Sequence, residues 1–537
     1  YKALALFQKD ENNKIKILHD MQNTFDIAEF IIPEIYTLHK NGQYCLMSQK
    51  GSNNTSYNFL IVSLGAKDKF FKQTIKNYLT TLRTLANIIN EQNIINLNLS
   101  LDLYLDQELI KILQLPTIIE DNATSNKDNE IKYIEYTLFH LCNFMYSFKT
   151  LKTNNNSDVN VNSKNHIHDA QTNKSLEHLN INIYNNQYQK SNSNEEYNLL
   201  TALYNAKALI DGAFIIKNLA NTPANLMTPF YLSKAAEDMV KSLKNHVRND
   251  ISIEILDKEA ISKLGMNTFL AVAQGSVNEA KFIKMYYNGN KNNTQPVVLI
   301  GKGISFDSGG LSLKPAESME TMKFDMSGAA TVIGIFNTVS QLNLAINLVC
   351  LIPTCENMPS GSAVKPGDVI KTMAGTTVEI LNTDAEGRLI LCDALHYAKE
   401  FNPALVIDIA TLTGACRVAL GNIASALFSN HQDTAELLLK SANKTGDKTW
   451  QMPLYEEAHE MLASDVADIA NIANVKGSAG SIVAACFLEK FVDYKWAHID
   501  IASIAYGNSI YNANSYKLAT ARPFYMLIDF LRNNYKS

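Results

Sequence analysis

The sequence predicts an α/β protein: an N-terminal α/β domain joined by a long helix to a larger C-terminal α/β/α domain with a mostly parallel central sheet. Three observations support this fold class. The 537 residues exceed the roughly 250–300 at which a single hydrophobic core stops growing. The hydrophobic content of 46% is typical of globular chains. Short apolar runs alternate with helical patterns through the second half of the chain.

The N-terminal domain is predicted to cover residues 1–194. Phe59–Leu64 is a strand-like apolar run, and Lys72–Asn90 places apolar residues at helical spacing. Residues 1–150 contain no recognisable catalytic motif. We therefore expect the chemistry to lie elsewhere in the chain.

A low-complexity insertion interrupts this domain at about residues 152–174 and 185–195. The segment from Leu151 to Leu200 includes 14 asparagines, and only Leu176–Tyr184 has a sustained apolar pattern, which predicts one strand. The run His166-Ile167-His168-Asp169 could hold a metal ion, but solvated histidines are common in polar tracts. We assign this run no role.

A linker helix is predicted over residues 195–221, because the helical pattern ends before Thr222-Pro223 and proline disfavours a helical residue before it. The C-terminal domain would then cover residues 222–537. Its apolar runs alternate with helical stretches, including Gly328–Leu342 and Leu389–Phe401, which favours a parallel sheet covered on both faces. The predicted strands are Val297–Gly301, Ile346–Ile352, Val378–Asn382, Leu405–Ile409 and Ala497–Ile501. Ligands of such sheets bind beyond the carboxyl ends of the strands.

Charge and cysteine content narrow the class of function. A formal net charge of −5 offers no excess of positive charge for nucleic acid or anionic lipid. Seven scattered cysteines without a C-x-x-C pair suit a reducing compartment. The apolar stretch Ala404–Phe428 contains Asp408 and Arg417, so we expect no membrane span. The apolar run between Lys2 and Lys9 is too short for the apolar region of a signal peptide. The sequence leaves open whether a presequence was removed before Tyr1.

Acidic residues follow the predicted strands, in turns made of small residues. Asp307 and Asp325 follow the first of the strands named above, and Asp384 and Glu386 follow the third. Four carboxylates at one sheet edge would repel one another without bound cations. Because the chain has no H-E-x-x-H motif, oxygen ligands would hold the ions, and bridging carboxylates allow two neighbouring ions. Residues i and i+2 of an extended turn face the same side, so Asp384 and Glu386 would share one centre.

Two lysines lie close in sequence to Asp307. Lys302 and Lys314 would place ammonium groups beside the cations, unless burial and cation repulsion neutralise one of them. A neutral Lys302 could then be a metal ligand. A charged Lys314 could polarise a carbonyl group.

Each motif taken alone has an alternative interpretation. Gly301-Lys302-Gly303 could belong to a phosphate loop, but the order G-x-x-x-x-G-K-[ST] is absent. Asp325 could be a helix N-cap, and Asn382–Gly387 could be an ordinary turn. Asp408 and His498 are more typical of hydrogen-bonded core residues than of catalytic ones. The joint presence of acidic motifs at successive strand ends favours a metal site.

These motifs resemble the leucine aminopeptidase family, the cytosol aminopeptidases with two metal ions. The family signature N-T-D-A-E-G-R-L stands unbroken at Asn382–Leu389. The segments Gly301–Gly310, Leu313-Lys314 and Asp325–Ala330 are similar to its other metal-binding segments. Similarity extends from about Ala206 to the C-terminus, including Asn221–Asn225, Ala273–Ser276, Ala410–Ala415 and Ser478–Gly480. The asparagine-rich insertion departs from the family pattern and suggests a eukaryote with an AT-rich genome, such as a malaria-type parasite.

The resemblance implies three groups of site residues. The metal ligands would be Lys302, Asp307, Asp325, Asp384 and Glu386. A tightly held ion would use all of these except Asp384, and a more exchangeable ion would use Asp307, Asp384 and Glu386, so that Asp307 and Glu386 bridge. Lys314 would stabilise the tetrahedral intermediate, and Arg388 would hold a bicarbonate ion that acts as general base. The pocket for the first side chain would be lined by Met322, Thr411, Leu412 and Gly414.

The same resemblance implies activity and assembly. The protein would be a leucyl aminopeptidase, a cytoplasmic metalloexopeptidase that removes N-terminal leucine or another apolar residue from short peptides with a free N-terminus. Each subunit would carry two divalent ions. The tightly held ion would be zinc, and the exchangeable ion would be zinc, manganese, magnesium or cobalt. Bicarbonate would bind at Arg388. It would form a homohexamer, a dimer of trimers, without a membrane or nucleic-acid partner. Two rival interpretations remain, a two-metal phosphoesterase and a DNA-binding protein.

Overall fold

The computed structural model describes residues 3–9, 15–17, 44–50, 56–63, 74–91, 96–100, 126–146, 148, 180–184, 193–292, 295–475, 477, 479–507 and 518–534. The chain divides into two compact units, with the boundary between Ile210 and Asp211. The asparagine-rich segment at about 152–174, including His166–Asp169, lies outside the described residues.

The first unit combines short strands with two amphipathic helices. Its elements are β1 (Ala3–Lys9), β2 (Ile15–Ile17), β3 (Tyr44–Lys50), β4 (Ser56–Ser63), α1 (Thr74–Glu91), β5 (Asn96–Ser100), α2 (Asn126–Met145) and β6 (Asn180–Tyr184). Four strands form a sheet of order β2-β1-β4-β3, and β5 pairs in parallel with β6. The strand predicted at Phe59–Leu64 is β4, and the helix predicted at Lys72–Asn90 is α1. Leu82 and Leu85 of α1 are buried, as the helical spacing requires.

A long helix, α3 (Ser193–Asn221), crosses the boundary between the units. It covers the segment for which a linker helix is predicted and begins at Ser193 rather than at Glu195. The carbonyl of Asn218 accepts from the N–H of Thr222 at 3.2 Å and from its hydroxyl at 2.7 Å, in the last turn before Pro223. Within the described residues, the helices lack the length and apolar content that crossing a membrane requires.

The second unit is an α/β structure. Its strands are β7 (Asp250–Leu256), β8 (Lys281–Asn288), β9 (Val297–Gly301), β10 (Gly303–Asp307), β11 (Asn347–Asn357), β12 (Asp368–Lys371), β13 (Thr377–Ile380), β14 (Leu405–Ala410), β15 (Ser425–Ser429), β16 (Thr449–Gln451), β17 (Ile469–Ala470) and β18 (Trp496–Asp500). Its helices are α4 (Pro229–Leu243), α5 (Lys258–Lys263), α6 (Asn267–Ala273), α7 (Ala316–Met319), α8 (Ser327–Gln341), α9 (Gly387–Tyr397), α10 (Gly414–Leu420), α11 (Gln432–Thr445), α12 (Glu456–Glu460), α13 (Gly480–Glu489) and α14 (Phe524–Asn534).

A nine-stranded sheet forms the centre of this unit, in the order β16-β15-β18-β14-β9-β11-β8-β7, with β10 also paired to β11. The inner pairs β18–β14, β14–β9, β9–β11 and β10–β11 are parallel, whereas β15–β18, β11–β8 and β8–β7 are antiparallel. Every residue of β9, β14 and β18 is buried, which requires cover on both faces of the sheet. The predicted fold class, with its mostly parallel central sheet, is confirmed.

One predicted strand belongs to a different sheet. Val378–Asn382 was expected among the strands of the central sheet, but β13 pairs with β12 and β17 in a separate three-stranded sheet. In β13 only Val378 and Ile380 are buried, so it has one covered face, unlike the strands at the centre of the large sheet. The turn between β13 and α9, residues 381–386, therefore follows a strand of the smaller sheet and not a strand of the central sheet.

Candidate active site

A break between two strands positions Lys302. Strands β9 and β10 both pair in parallel with β11, and Lys302 is the residue between them. Its N–H donates to the carbonyl of Ile409 at 3.0 Å, and its carbonyl accepts from the N–H of Ala329 at 2.9 Å. A Cβ atom at Gly301 would lie 2.7 Å from the Cα atom of Ala329, so only glycine permits this close approach. The side chain of Lys302 is thereby fixed at the carboxyl edge of the sheet.

The carboxyl ends of parallel strands bring further polar residues to the same edge. Asp307 ends β10, Asn357 ends β11, Asp500 ends β18, and Thr411 follows β14. Asp325 arrives from a 3-10 turn, Met322–Met326, that precedes α8.

Asp384 and Glu386 enter from the turn between β13 and α9. The side chain of Asn382 accepts from the N–H of Asp384 at 2.8 Å, which stabilises the turn. The backbone of Glu386 is helical (φ −75°, ψ −34°), so the expected extended turn is wrong. Both carboxylates nevertheless reach one centre, because ligand atoms of Asp307, Asp384 and Glu386 lie within 4.8 Å of one another.

Lys302 lies between two carboxylates. Its Nζ is 2.9 Å from Asp325 Oδ2 and 2.7 Å from Glu386 Oε1, and it donates to the carbonyl of Thr411 at 2.9 Å. Burial alone would lower the pKa of Lys302, but Asp325 and Glu386 outweigh it and the pKa is raised. A Cβ atom at Gly387 would lie 2.6 Å from Nζ, so any larger residue there would displace the Lys302 side chain from its two carboxylates.

Lys314 joins the other two carboxylates. Its Nζ lies 2.8 Å from Asp307 Oδ2 and 2.5 Å from Asp384 Oδ1. Burial would lower the pKa of Lys314, but the neighbouring carboxylates, Asp307 first, raise it. The side chain of Lys314 is 13% exposed, compared with 3% for Lys302. Lys314 is therefore the lysine that a bound molecule could reach.

The carboxylates have unequal environments. Burial raises the pKa of Asp325, and burial together with Glu386 raises the pKa of Asp307. For Glu386, burial acts in the same direction, but Lys302 and Lys314 outweigh it and the pKa is lowered. Glu386 Oε2 is buried and has no hydrogen-bond partner among the described residues. It is an oxygen available to a cation.

Arg388 lies in the first turn of α9. Its Nη1 donates to the carbonyl of Asn471 at 2.7 Å, whereas its Nε is buried without a partner among the described residues. Burial lowers the pKa of Arg388 to about 10, so the guanidinium stays charged at neutral pH. Asn471 also accepts from the N–H groups of Leu381 and Asn382 and so holds the acidic turn and Arg388 together.

The segment after β14 is tied to the site at two points. Thr411 Oγ1 donates to Asp325 Oδ1 at 2.7 Å. Asp500 accepts from the N–H of Leu412 at 3.1 Å and from the hydroxyl of Thr413 at 2.7 Å.

The remaining predicted pocket residues are less closely connected. In the described part of the chain, no side-chain hydrogen bond or ion pair connects Met322 or Gly414 to the six charged side chains, which are Lys302, Asp307, Lys314, Asp325, Asp384 and Glu386. Met322 belongs to the same 3-10 turn as Asp325, and Gly414 begins α10.

The geometry decides between several alternatives. The N-cap interpretation of Asp325 is wrong, because Met326 occupies the cap of α8 and Asp325 instead binds Thr411 and Lys302. A phosphate loop at Lys302 is excluded by the two carboxylates that contact its ammonium group. Asp408 and His498 form a buried hydrogen-bonded pair, in agreement with a core role.

Three contributors were not predicted: Asn357, Asn471 and Asp500. Asn357 and Asp500 are polar residues at the ends of buried strands, and this position is the signal that could have identified them. Asn471 follows the two-residue strand β17, for which the sequence offers no comparable signal.

Comparison with known proteins places this site in a family. Residues 214–528 match the catalytic domain of the cytosol aminopeptidase family. A probable cytosol aminopeptidase of Chromobacterium violaceum is 49% identical over 328 residues, which are 61% of this chain and 60% of that protein. One from Aromatoleum aromaticum is 50% identical over 331 residues, which are 62% of this chain and 64% of that protein. The chain thus spans less than two thirds of the length of these relatives.

A solved structure shows the same fold. The bottromycin maturation enzyme BotP superposes with a TM-score of 0.73 at 23% sequence identity, over 99% of this chain and 98% of that one. At this identity the likeness concerns the fold. The family match covers more than half of the chain and includes all the predicted site residues. The chain therefore belongs to the cytosol aminopeptidase family.

Proposed function

We propose that this chain is a two-metal aminopeptidase that removes the N-terminal residue, preferably leucine or another apolar residue, from short peptides. The observation that carries the proposal is the convergence of Asp307, Asp384 and Glu386, whose ligand atoms lie within 4.8 Å of one another. The relatives named as probable cytosol aminopeptidases support the same activity.

The donor set fits divalent cations. Carboxylate oxygens bind zinc, manganese and magnesium, and Glu386 Oε2 is a buried oxygen that lacks a partner among the described residues. A tightly held zinc would use Lys302, Asp307, Asp325 and Glu386, and an exchangeable zinc, manganese, magnesium or cobalt would use Asp307, Asp384 and Glu386. Lys302 would bind in its neutral form, which the charge of a nearby cation favours. When bound, the two ions would lower the pKa of a water molecule and share the negative charge that develops on the scissile carbonyl oxygen.

The chain's own residues would orient the peptide and its charges. Lys314 is the accessible lysine and would donate to the scissile carbonyl oxygen as negative charge develops there. Asp325 would accept from the free α-amino group, which restricts cleavage to the first peptide bond. Arg388 would hold bicarbonate with its unpaired Nε, so that this anion takes up a proton as general base. Met322, Thr411, Leu412 and Gly414 would line the pocket for the first side chain.

We also propose a cytoplasmic homohexamer arranged as a dimer of trimers. This proposal rests on the resemblance of the sequence motifs to the leucine aminopeptidase family. Analytical ultracentrifugation of the active protein tests it. A stable, fully active monomer would contradict it.

Hydrolysis of leucine amide, compared with N-acetyl-leucine amide, tests the activity. The full-length protein is stripped with a chelator and then supplied with zinc, manganese or cobalt. We expect cleavage of the free-amine substrate alone, loss of that cleavage with the metals and its return on addition. Failure to cleave with every metal would contradict the proposal, and cleavage of phosphate esters instead would favour a phosphoesterase.

Two matched variants connect the result to the site. Asp384 and Asp368 are both carboxylates paired with a lysine, and their side chains are 33% and 28% exposed. Asp384→Asn should remove one ligand of the exchangeable ion and lower activity strongly, whereas Asp368→Asn should leave it unchanged. Equal activity of the two variants would place the metal site elsewhere.

A further inference from the structure

Asn357 joins the two segments that carry carboxylates of the site. We propose that it is a positioning residue that holds the metal-binding carboxylate of Asp307, an inference that rests on the proposed function. Asn357 is 2% exposed and is the register partner of Asp307 where β10 pairs with β11. Paired residues of adjacent strands project to the same face, so the register itself brings the two side chains together.

The side-chain amide of Asn357 uses both of its N–H groups. Nδ2 donates to Asp307 Oδ1 at 2.8 Å and to the carbonyl of Thr383 at 3.0 Å. One bond reaches the end of β10, and the other reaches the turn immediately before Asp384. Because the two bonds start from one nitrogen, they fix the distance between the segments that present Asp307 and Asp384.

These contacts also fix the orientation of the Asp307 carboxylate. Oδ1 accepts from Asn357 Nδ2 and from the N–H of Gly309 at 2.9 Å, whereas Oδ2 faces Lys314 at 2.8 Å. With one oxygen held by two donors, the other remains directed towards the carboxylate cluster. Partners of this kind, which orient a metal ligand without touching the metal, typically change metal affinity 10–100-fold when they are removed.

The surrounding backbone is shaped to receive this amide. Gly310 has a φ of +65°, and a Cβ atom there would lie 2.8 Å from Asn357 Oδ1. The carbonyl of Asn357 accepts from the N–H of Ser308 at 3.0 Å and from its hydroxyl at 2.7 Å. Both the side chain and the backbone of Asn357 are therefore anchored beside Asp307.

Zinc affinity of the full-length protein tests the role, measured after chelator treatment by competition with a chromophoric chelator. We expect Asn357→Leu to weaken zinc binding about 10- to 100-fold. Excess zinc should restore most of its turnover of leucine amide. Asn337→Leu is the matched control, because Asn337 is a buried asparagine, 3% exposed, about 15 Å along α8 from Ser327. Its zinc affinity should equal that of the wild type.

The outcomes separate this inference from the proposed function. If Asn357→Leu binds zinc as tightly as the wild type while both cleave leucine amide, the positioning role is wrong and the function stands. If the wild type neither binds zinc nor cleaves leucine amide, the proposed function fails and this role fails with it. Lower stability of the metal-free variant with unchanged zinc affinity would mean that Asn357 only supports the fold. Should the leucine variant not fold, Asn357→Ser removes the same amide with a smaller side chain and should show the same loss.

Discussion

The imidazole of His498 is bonded to the carboxylate of Asp408 inside the central sheet, with 2.6 Å between Nδ1 and Oδ1. Both side chains are fully buried. The two residues are register partners on the parallel strands β14 and β18. Trp496 Nε1 donates to the other oxygen of Asp408 at 2.7 Å, and Phe428 and Trp496 both stack on the imidazole. This pair therefore joins the two strands that lead to Thr411 and Asp500.

Removal of the carboxylate should destabilise the second unit. Asp408→Ala would leave the indole N–H of Trp496 and the imidazole of His498 without their acceptor in the core. Breaking a buried pair in this way costs about 3–5 kcal/mol. Asp465→Ala, at an exposed position, should change the free energy of unfolding by less than about 0.5 kcal/mol. Urea unfolding of both variants without metal checks this, and a similar small effect for both would contradict it.

The same pair should make stability depend on pH. Burial and the positive charge of Arg388 lower the pKa of His498, burial being the larger effect. The carboxylates of Asp408 and Asp500 outweigh them, so the pKa of His498 is raised. The stability that protonated His498 contributes is therefore fully present below about pH 6.5, the pKa of an unfolded histidine, and is lost as pH rises through the higher folded-state pKa. The difference in unfolding free energy between the wild type and His498→Gln should shrink as pH rises. A difference that grows with pH would refute the assignment.

Lys314→Ala should lower kcat far more than it changes KM. If Lys314 donates to the carbonyl oxygen as charge develops, its removal costs about 10²- to 10³-fold in kcat. The exposed Lys365, paired with Asp368, offers a control in Lys365→Ala, which should behave as the wild type. Because Lys314 also pairs with Asp307 and Asp384, metal content must be measured beside the rate. Unchanged kcat in a fully metallated Lys314→Ala enzyme would exclude the role.

The central strands could be predicted from the sequence because their burial is continuous. Val297–Gly301 is a wholly apolar run and matches β9 at both ends. The prediction for β11 stopped at Ile352, whereas the strand continues to Asn357. Residues 353–357 include polar side chains, yet they are buried, so hydrophobicity does not mark this part of the strand. Tertiary pairing with β10 accounts for the extension.

The acidic residues of the site could be predicted, but their supporting contacts could not. Asp307 was recognised because it follows the buried run Val297–Gly301 among small residues, although the structure places it at the end of β10 and not in a turn. Its partner Asn357 lies 50 positions away, and Asp500 lies 88 positions from the N–H of Leu412 that it binds. Single polar residues carry no pattern that pairs them across such separations. The register of the strands places Asn357 opposite Asp307, and it places Asp500 opposite Ala410, two residues before Leu412.

Arg388 should make the rate depend on bicarbonate. If Arg388 holds that anion as general base, removal of carbon dioxide and bicarbonate from the buffer should slow the wild type, and added bicarbonate should restore it. Arg388→Ala should lose about 10²- to 10⁴-fold in kcat and no longer respond to bicarbonate. Arg417→Ala, at an exposed arginine, is the control. A wild-type rate that is independent of bicarbonate would contradict this role.

Gly414 should influence which first side chain is accepted. It begins α10, and a Cβ atom added there would meet no atom within 4 Å. Gly414→Ala should therefore fold normally and place a methyl group in open space. If this space receives the first side chain, kcat/KM for leucine amide should fall by about 10-fold or more relative to alanine amide, because one methyl group in an apolar pocket is worth about 1–3 kcal/mol.

Gly361→Ala provides the comparison for this change. A Cβ atom at Gly361 would likewise meet no atom within 4 Å, but Gly361 lies between β11 and β12, outside the predicted pocket. Both variants should unfold at the temperature of the wild type, and only Gly414→Ala should change the ratio of kcat/KM for the two amides. An equal ratio in both variants would remove Gly414 from the pocket. The preference for leucine would then depend on Met322, Thr411 and Leu412.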